Sequence, residues 1–543
     1  MDSHPTTSVV CASKSSAGEQ QQHHPQTSSS HRNANETEDD EEGESGLLDL
    51  AIVGAGLSGL MAAKTISEKQ AGIRFRLFEK STHPGGILGG LKTRWITPHH
   101  YHAMGLCREL QIPLTTVWRQ SDVSDARRPL QSIGPFREPS NEEDGFFSSL
   151  RDLLVRLESD RFMAELDCLC TVKYITSNGQ NMERFLEKKL LFEASRRFFR
   201  FLIKIGTGFY PAELTVSGCL RLFRSMSSVR DLYDMLALQS GHLHPVGTAA
   251  SWDVLTERLV ARIGEQHIHY STNIVQVEIS SEQRSDIVSL TDGTGRRWRA
   301  RYVILAVSCL DLVQISIRPH GPLYYQQPDI QLGLWSMANF TVRYPAPYWR
   351  DHGYTGCIFC PAQALICYES GHNQLSGTYF SPLRGVLNDT ERALIRDTIL
   401  RLLRTNFTCR TMQKPLDLSL EVHPIPFYFD VFPTFERCVI FASTNVSCWY
   451  RGFINGSIQG GIRAAILALL EIRPQTITFR EVTDMQCMHF KYFRRRSAYE
   501  RAWYAVNLAS VCRAVMGAGA LLLTYGVYCA LVKADICSWW SNR

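Results

Sequence analysis

The chain has 543 residues, more than one compact domain usually holds, and its 44% apolar content is ordinary for a globular protein. The formal net charge of +5 is small, so the charge balance does not favour a nucleic-acid partner. The sixteen cysteines are scattered, and neither Cys357-x-x-Cys360 nor Cys168-x-Cys170 has a partner pair at the spacing of a zinc site. We therefore predict neither a bound metal nor a nucleic-acid partner.

Residues 1–46 form a polar segment rich in Ser, His, Gln and Thr, with an acidic run from Glu36 to Glu44. Such a composition buries too little apolar surface to offset the entropy lost on ordering, so we predict that this segment is disordered. The folded part of the chain is expected to begin at residue 47.

A glycine-rich turn, Gly54-Ala55-Gly56-Leu57-Ser58-Gly59, follows the apolar stretch from Leu48 to Val53, which predicts a buried parallel strand. A helical pattern from Leu60 to Ser67 comes next, and a second short strand, Phe75 to Phe78, ends at Glu79. Strand, glycine turn, helix, strand and acid in this order are typical of a dinucleotide-binding unit. An ordinary glycine turn before a helix is the alternative that this pattern leaves open.

Each part of this unit has its own expected role. Gly54 permits the tight turn, Gly56 lets the backbone approach a pyrophosphate, and Gly59 lets the helix pack closely on the strand. Glu79 is expected to accept hydrogen bonds from the ribose. A second glycine-rich loop, Pro84 to Gly90, can line the other side of the pyrophosphate.

The rest of the chain contains two long insertions. Residues 119–240 combine Asp- and Arg-rich loops with helices, and residues 313–432 mix strands with a helix. We predict helices over residues 182–191, 194–204, 252–263, 390–405 and 455–470, and strands over residues 267–279, 298–307, 340–344 and 438–442. A nucleotide-binding domain is therefore expected from residues 47–118, 241–312 and 433–475, with the two insertions forming a substrate domain.

The sequence of the C-terminal part is typical of a membrane anchor. Residues 514–532 contain no charged side chain and as a helix would extend about 28 Å, close to the hydrocarbon thickness of a bilayer. We predict a basic linker or helix over residues 476–512, a single transmembrane helix over 513–533 and a short tail over 534–543, with the main body facing the cytosol. A buried core helix is the alternative.

Five stretches carry a wider resemblance: VGAGLSGL, FEKSTHPGG, RYVILAV, TVRYPAPYWRDHGYTG and CVIFASTNVSCWYRGFINGSIQGGIRAA. Through them the chain resembles the flavin-containing amine oxidases over residues 47–475, and its C-terminal anchor makes it most similar to the monoamine oxidases. The resemblance implies an α/β fold with an FAD-binding, Rossmann-like domain built from discontinuous segments. It also implies an inserted α+β substrate domain and a C-terminal transmembrane helix.

The same resemblance implies two sets of site residues. Those expected to hold FAD are Gly54, Ala55, Gly56, Ser58, Gly59, Glu79, Lys80, Gly85, Gly86, Ile274, Ala442, Ser443, Phe453 and Ile454. Those expected at the reacting centre are Asn339, Phe453 and Trp449. The implied reaction oxidises a primary or secondary amine to an imine and then an aldehyde, while O2 is reduced to hydrogen peroxide.

The chain departs from the family pattern at several positions. Asn339 stands where the family has a lysine near the flavin, the family's A-G-T-E reads Ala442 to Asn445, and its G-G-R loop reads Gly85-Gly86-Ile87. Neither Cys409 nor Cys438 has the neighbours of a covalent attachment site. The FAD is therefore expected to be non-covalent.

The leading interpretation is a flavin amine oxidase with a small-molecule amine and O2 as partners, tail-anchored in the mitochondrial outer membrane and facing the cytosol. A membrane-tethered FAD-binding pseudo-oxidase without amine turnover is the main alternative, favoured by the missing lysine and acid. A third interpretation is a flavin oxidoreductase acting on a carotenoid-like or prenyl lipid. The specific amine, and the choice between monomer and homodimer, stay open.

Overall fold

The computed structural model describes residues 46–69, 71–88, 95–96, 100–116, 130–136, 146–170, 179–226, 228–237, 246–248, 252–282, 285–312, 314–319, 335–371, 373–385, 387–424, 435–485, 498–499 and 508–541. These residues belong to one compact unit, Gly46–Arg543. The predicted disordered segment lies outside the described residues except for residue 46, and the predicted basic linker lies partly outside them.

The strands of the described residues form three sheets. In chain order the strands are β1 (Leu48–Val53), β2 (Phe75–Phe78), β3 (Trp95–Ile96), β4 (Leu114–Thr116), β5 (Gln131–Ile133), β6 (Val246–Thr248), β7 (Ile268–His269), β8 (Ile274–Glu282), β9 (Ser285–Asp292), β10 (Arg297–Leu305), β11 (Ser316–Arg318), β12 (Ser336–Arg343), β13 (Tyr354–Cys360), β14 (Leu365–Gly371), β15 (Gln374–Ser381), β16 (Asp417–Pro424), β17 (Phe435–Glu436) and β18 (Val439–Phe441). The first sheet has the order β11-β8-β9-β10-β1-β2-β7, with β18 beside β10 and β17 beside β18. The second has the order β16-β12-β15-β14-β13-β5, and the third the order β3-β6-β4.

The α-helices connect and cover these strands. In chain order they are α1 (Leu57–Glu68), α2 (Tyr101–Glu109), α3 (Phe146–Leu169), α4 (Met182–Lys189), α5 (Glu193–Thr207), α6 (Val216–Phe223), α7 (Val229–Ala237), α8 (Trp252–Ile263), α9 (Cys309–Leu312), α10 (Tyr348–Asp351), α11 (Asp389–Asn406), α12 (Ile454–Ile472), α13 (Phe479–Met485) and α14 (Leu508–Ser541). Helix α8 has the predicted bounds, and the predicted helices α4, α5, α11 and α12 differ from expectation by only a few residues at their ends.

The centre of the first sheet is built from three separated stretches of the chain. Strand β1 lies between β2 and β10, and β18 lies beside β10, all parallel. The last residue of β1, Val53, pairs with Leu305 of β10 and with Phe78 of β2. Leu305 in turn pairs with Phe441 of β18. The carboxyl ends of all four strands therefore meet at one edge, where parallel α/β sheets bind their ligands.

Two sequence-based expectations near this sheet need correction. The single strand predicted over residues 267–279 is two strands, β7 and β8, because Ser271 adopts a φ of +52° and turns the chain between them. Strand β11 lies within the insertion predicted over residues 313–432, yet Ser316 pairs with Gln276 of β8 in the first sheet. The other domain boundaries remain predictions.

Helices α1 and α12 pack against each other through glycines. A Cβ atom at Gly461 of α12 would lie 2.2 Å from the carbonyl oxygen of Ser58 in α1. A Cβ at Gly460 would lie 2.3 Å from the carbonyl oxygen of Ser443, just after β18, and one at Gly59 would lie 1.9 Å from that of Gly54. Backbone therefore touches backbone at each of these places, which only glycine permits.

Gly461→Ala is expected to lower the thermal unfolding temperature, because the carbonyl of Ser58 belongs to a helix and cannot move aside alone. Overpacking typically costs about 1–3 kcal/mol, which exceeds the roughly 1 kcal/mol that alanine gains over glycine in a helix. Gly105→Ala in α2, where a Cβ meets no atom within 4 Å, is the matched control and should not destabilise. Equal unfolding temperatures for Gly461→Ala and wild type would contradict the close helix contact.

The second sheet lies between α11 and a helical layer formed by α3 to α7. On one face, Phe340 of β12 is buried in a cluster with Ile399 and Leu403 of α11. On the other face, Phe380 of β15 is buried in a cluster with Phe198 of α5 and other residues of the helical layer. Along β12 itself, Ala338 lies in the first cluster and its neighbour Met337 packs against the second, so alternation directs neighbouring residues to two different cores.

Helix α14 extends from the body at the C-terminal end. Within the described residues it contains the one stretch long and apolar enough to cross a membrane, Val511–Leu531, with a mean hydropathy of 1.7 and none of it buried. Near its start, Nη1 of Arg513 donates a hydrogen bond to the carbonyl of Lys188 at 2.8 Å. The helix therefore meets the body at the C-terminal end of α4, and the apolar side chains of Val511–Leu531 are not covered by the described residues.

Candidate cofactor and substrate cavity

A cavity of about 790 Å³ joins the carboxyl edge of the first sheet to the second sheet. We call the part bounded by Gly54, Gly56 and Glu79 the turn end. We call the part bounded by β12, β15 and β16, including Asn339 and Glu421, the sheet end. This volume is in the range of pockets that bind cofactors and other small ligands.

The glycine turn forms an open cradle at the turn end. Gly54 has a φ of +99°, and Gly56 precedes α1 in extended backbone without any side-chain cap. A Cβ atom at Gly56 would meet no atom of the described residues within 4 Å, so the space beside it belongs to the cavity. Gly85 and Gly86 of the second loop also line this space, both with positive φ. Uncapped N–H groups at a helix N-terminus beside open space favour an anion such as a phosphate.

Glu79 is buried at the end of β2 and holds the turn in place. Its Oε2 accepts a hydrogen bond from the N–H of Ala55 at 2.6 Å, and its Oε1 accepts one from the N–H of Ser81 at 2.9 Å. Because a carboxylate offers about four lone-pair sites, Glu79 can still accept hydrogen bonds from a ligand in the cavity that it lines. Ala55 is fully buried, so its backbone belongs to the turn while its side chain does not face the cavity.

Lys80 and Ile274 line the turn end beside Glu79. Nζ of Lys80 lies 2.6 Å from Oδ1 of Asp311, so this cation is part of an ion pair. The loop before Ile274 is fixed by the N–H of Thr272, which donates to the carbonyl of Glu79 at 2.8 Å. The structure thus brings the glycine turn, the acid after β2 and the start of β8 to one place.

The start of α12 closes the cavity on its other side. Ala442, Ser443, Phe453 and Ile454 all line it. Oγ of Ser58 at the start of α1 donates to the carbonyl of Ser457 at 2.9 Å, which ties the N-termini of the two helices together. Both helix dipoles therefore favour negative charge in the same cavity.

Asn339 lies in the middle of β12 and faces the sheet end. Its Oδ1 accepts a hydrogen bond from Oγ1 of Thr378 at 2.9 Å on the neighbouring strand β15. Its Nδ2 is buried and has no hydrogen-bond partner among the described residues. With the amide in this orientation, the side chain offers a donor to a ligand but carries no charge.

Three residues in the predicted site, Ala55, Gly59 and Trp449, lie outside the cavity lining. Gly59 lies against the carbonyl of Gly54, so it allows α1 to pack closely on the turn, as predicted from the sequence. Trp449, expected at the reacting centre, is packed against the buried cluster of the helical layer instead. The loop before α12 is held by Gln459, whose Oε1 accepts from the backbone N–H of Trp449 at 3.1 Å. The structure therefore does not bring Trp449 to the reacting centre.

Sequence reasoning missed several residues at the sheet end. His100, buried before α2, lines the cavity with its ring centroid 6.1 Å from that of Phe453. Ser419, Glu421 and His423 alternate along β16 and all line it as well. Polar residues at every second position of a strand are a signal that one face meets a polar site, and the stretch Leu418 to His423 carries that signal.

Lys204 of α5 supports the aromatic wall of the cavity from behind. Its Nζ lies 4.7 Å from the ring centroid of Trp335 and 4.9 Å from that of Tyr210. Burial lowers the pKa of Lys204 to about 8, whereas the two rings favour its charged form. Trp335, which lines the cavity, donates its indole N–H to the carbonyl of Gly208 at 3.0 Å.

The residues of the cavity fit a long ligand with an anionic middle and an acceptor-rich end. The glycine cradle and two helix N-termini suit a pyrophosphate. Two buried donors that line the cavity, Nδ2 of Asn339 and Nε1 of Trp252, have no hydrogen-bond partner within the part of the chain that the structure describes. Buried donors are normally satisfied, so these atoms are suited to acceptor atoms of a ligand.

Residues 57–384, more than half of the chain, match the family described as flavin containing amine oxidoreductase. The chain belongs to this family. Its cofactor is accordingly FAD, and the protein is an amine-oxidising flavoenzyme.

Individual relatives are distant but cover most of the chain. The probable flavin-containing monoamine oxidase A of Dictyostelium discoideum is 22% identical over 360 residues, covering 61% of this chain and 73% of that protein. The flavin-containing amine oxidase B of Bos taurus is 20% identical over 467 residues, covering 77% and 85%.

Solved structures show the same fold. Wild-type putrescine oxidase bound to putrescine has a TM-score of 0.60 at 17% identity, covering 77% of this chain and 98% of that one. Cyclohexylamine oxidase from Brevibacterium oxydans has a TM-score of 0.57 at 18% identity, covering 79% and 100%. The predicted fold class, an FAD-binding α/β fold assembled from discontinuous segments, is confirmed.

Gly56→Val is expected to give folded but colourless protein. The Cβ of the new side chain meets no atom of the described residues within 4 Å, and valine suits the extended backbone at this position, yet the side chain fills the cradle where a pyrophosphate would lie. Flavin content measured by absorbance per mole of protein is the readout, with circular dichroism to show that the variant is folded. Gly179→Val, also in open space but away from the cavity, should retain full flavin content. A Gly56→Val protein with wild-type flavin content would contradict the placement.

Proposed function

We propose that this enzyme oxidises a primary or secondary amine to an imine, which water converts to an aldehyde, with O2 reduced to hydrogen peroxide. The observation that carries the proposal is the continuity of the cavity. Its turn end has the backbone donors for a pyrophosphate, and its sheet end has the aromatic walls and polar groups for a small amine.

When bound, FAD supplies a two-electron acceptor that dioxygen oxidises again. The residues of the chain bind this cofactor and orient the amine beside it. The N-termini of α1 and α12 favour negative charge, and Glu79 is proposed to accept from the ribose. Phe453 and Trp335 exclude water from the sheet end and orient an apolar amine.

Asn339 is proposed to stand at the position nearest the reacting atoms. Its Nδ2 can hold a water or a ligand acceptor through one hydrogen bond. It cannot supply a positive charge, and a fixed charge close to a developing anion typically contributes about two to three orders of magnitude in rate. Slow reoxidation by dioxygen is therefore expected, more than slow reduction by the amine.

The test measures the two half-reactions separately on wild type and Asn339→Lys. Amines added without oxygen should bleach the bound flavin in both proteins, and mixing with oxygen should then restore the colour. Restoration should be faster in Asn339→Lys, by up to about a hundredfold, because the ammonium stabilises negative charge. Ser419→Ala, also on the sheet end but uncharged, controls for a general disturbance of the cavity.

One outcome supports the second candidate function, a pseudo-oxidase that binds FAD without amine turnover. The neutral Asn339 and Asn445, in place of a lysine and an acid, are the observations that favour it. If wild type and Asn339→Lys both hold FAD and a broad panel of amines reduces neither, amine oxidation is rejected in favour of this function.

We infer that FAD is held without a covalent bond. No cysteine is among the described residues that line the cavity. Cys409 is buried in the core beneath α11, and Cys438 is buried at the start of β18. Burial raises the pKa of the Cys438 thiol to about 11, so it stays protonated and unreactive.

We also propose that α14 anchors the protein in a membrane, with the mitochondrial outer membrane as the location and the body facing the cytosol. Support comes from the exposed apolar stretch Val511–Leu531 and from the likeness to monoamine oxidases. A helix of this hydropathy, with its apolar part left unburied, is more stable in lipid than in water.

Deleting residues 513–543 should convert the protein from a carbonate-resistant membrane protein to a soluble one. The reason is that the deletion removes the exposed apolar surface while leaving both large sheets intact. The measurement is the distribution between pellet and supernatant after carbonate extraction of cell membranes. Deleting residues 534–543 alone keeps the apolar stretch and should leave the protein in the pellet. Pelleting of the longer deletion would show that other parts of the chain hold the membrane.

A further inference from the structure

A buried indole N–H at the start of α8 takes no part in the reaction proposed above. Trp252 is the first residue of α8, is 1% exposed and lines the cavity. Its Nε1 has no hydrogen-bond partner among the described residues. Because a buried donor without an acceptor costs free energy, this N–H is suited to an acceptor atom of a ligand in the cavity.

Trp252 lies beside the second glycine-rich loop. It belongs to the same buried cluster as Leu57, the first residue of α1, and Leu88 of that loop, and all three line the cavity. Helix α8 also packs against α1 and against the turn that ends at Leu88. The second loop is joined to the first glycine turn, because the N–H of Gly85 donates to the carbonyl of Ala55 at 2.8 Å. The indole is therefore next to the turn end of the cavity.

The turn end offers few cations to a pyrophosphate. Among the described residues that line the cavity, Lys80 is the one lysine or arginine, and its Nζ lies 2.6 Å from Oδ1 of Asp311. Glu79 lines the same end, and a carboxylate does not attract an anion. Within the described part of the chain, the negative charge of a pyrophosphate is therefore met mainly by neutral N–H donors.

Hydroxyl groups that line the cavity nearby already donate to the protein itself. Oγ of Ser58 donates to the carbonyl of Ser457 at 2.9 Å, and Oγ1 of Thr272 donates to that of Tyr270 at 3.0 Å. An indole has one donor and no acceptor, and its rigid ring cannot turn the N–H toward a local carbonyl as a hydroxyl can. Trp252 therefore keeps a donor available for a ligand.

We propose that Nε1 of Trp252 donates a hydrogen bond to an oxygen of the FAD pyrophosphate. The inference rests on FAD, the cofactor of the family, and does not depend on whether amines are turned over. The hydrogen bond joins the protein to the cofactor and no two parts of the protein to each other. Its loss therefore lowers the affinity for FAD without removing a hydrogen bond from the FAD-free protein.

The test measures the dissociation constant of FAD by flavin fluorescence, on the full-length protein from which FAD has been removed. Trp252→Phe removes the N–H and keeps an aromatic ring. It should weaken FAD binding about tenfold or more, as expected for a hydrogen bond to a charged group. ADP-ribose, which has the pyrophosphate but no flavin, should lose a similar factor when its binding is measured by calorimetry. Riboflavin, which has no pyrophosphate, should bind wild type and variant within about twofold of each other.

Trp349→Phe is the matched control, because it makes the same change at a fully buried indole outside the cavity lining. Nε1 of Trp349 donates to Oε2 of Glu369 at 3.1 Å, so this variant loses a hydrogen bond within the protein. It should lower the thermal unfolding temperature and leave the dissociation constant of FAD within about twofold. The comparison separates a contact with the cofactor from a general loss of packing.

Unchanged affinity for FAD in Trp252→Phe would overturn the hydrogen bond, and so would an ADP-ribose affinity that does not fall. A second variant has benzothienylalanine at position 252, where sulfur replaces the indole N–H with little change in ring size. It should show the same loss of FAD affinity, and it decides the matter where Trp252→Phe does not fold. Wild-type FAD affinity in this variant would also overturn the hydrogen bond. Failure of every amine to reduce the flavin would reject amine oxidation and leave these binding results standing.

Discussion

Helices α1 and α12 meet with their backbones in contact, and the cavity exists because of that contact. Gly461 lies against the carbonyl of Ser58, and Gly460 lies against that of Ser443. A bulkier residue at either position would push α12 away from the carboxyl edge of the first sheet. The two helix N-termini would then separate, and the Ser58–Ser457 hydrogen bond between them would break. The anion-binding end of the cavity thus depends on the absence of side chains at two positions that do not themselves line it.

The two ends of the cavity offer different groups to a ligand. The turn end is formed by uncapped helix N-termini and favours negative charge. The sheet end has polar side chains on three adjacent strands, with Thr378, Asn339 and Glu421 in one row across β15, β12 and β16. An anionic cofactor can therefore lie at the turn end with the polar face of the second sheet at the other end of the same cavity. Asn339, the neutral amide of the row, lies between a hydroxyl and a carboxylate.

The sequence predicts the turn end well because its determinants are local. Strand β1, the glycine turn, α1 and β2 follow each other within about thirty residues, and each step obeys a rule of short range. The predicted strand over residues 267–279 was wrong for an equally local reason, since a positive φ at Ser271 leaves no mark in a hydrophobic pattern. The close contact between α1 and α12 joins residues about 400 positions apart, so no single segment of the sequence predicts it.

The sheet end could be predicted only in part. Asn339 was placed through the family resemblance, but its neighbours depend on the register of β12 with β15 and β16, which no single segment contains. Glu421 and His423 belong to a stretch in which polar and apolar residues alternate. His100 precedes a short helix, and no sequence pattern marks it as a site residue. Trp449 does not line the cavity, and the position of its loop depends on contacts with the following helix, such as that of its N–H with Gln459, which the loop's own sequence does not show.

The contact between Arg513 and the end of α4 has a consequence for how the enzyme would meet its substrate. The guanidinium bonds to carbonyls at a helix C-terminus, where the helix dipole favours a cation, so α14 leaves the body from a defined point on the helical layer. A body joined to a membrane in this way has little freedom to tumble and presents one side to the lipid surface. With α14 in a membrane as proposed, amines that partition into the headgroup region would reach the enzyme by diffusion in a plane, and their concentration in the lipid, rather than in the surrounding water, would set the rate of encounter.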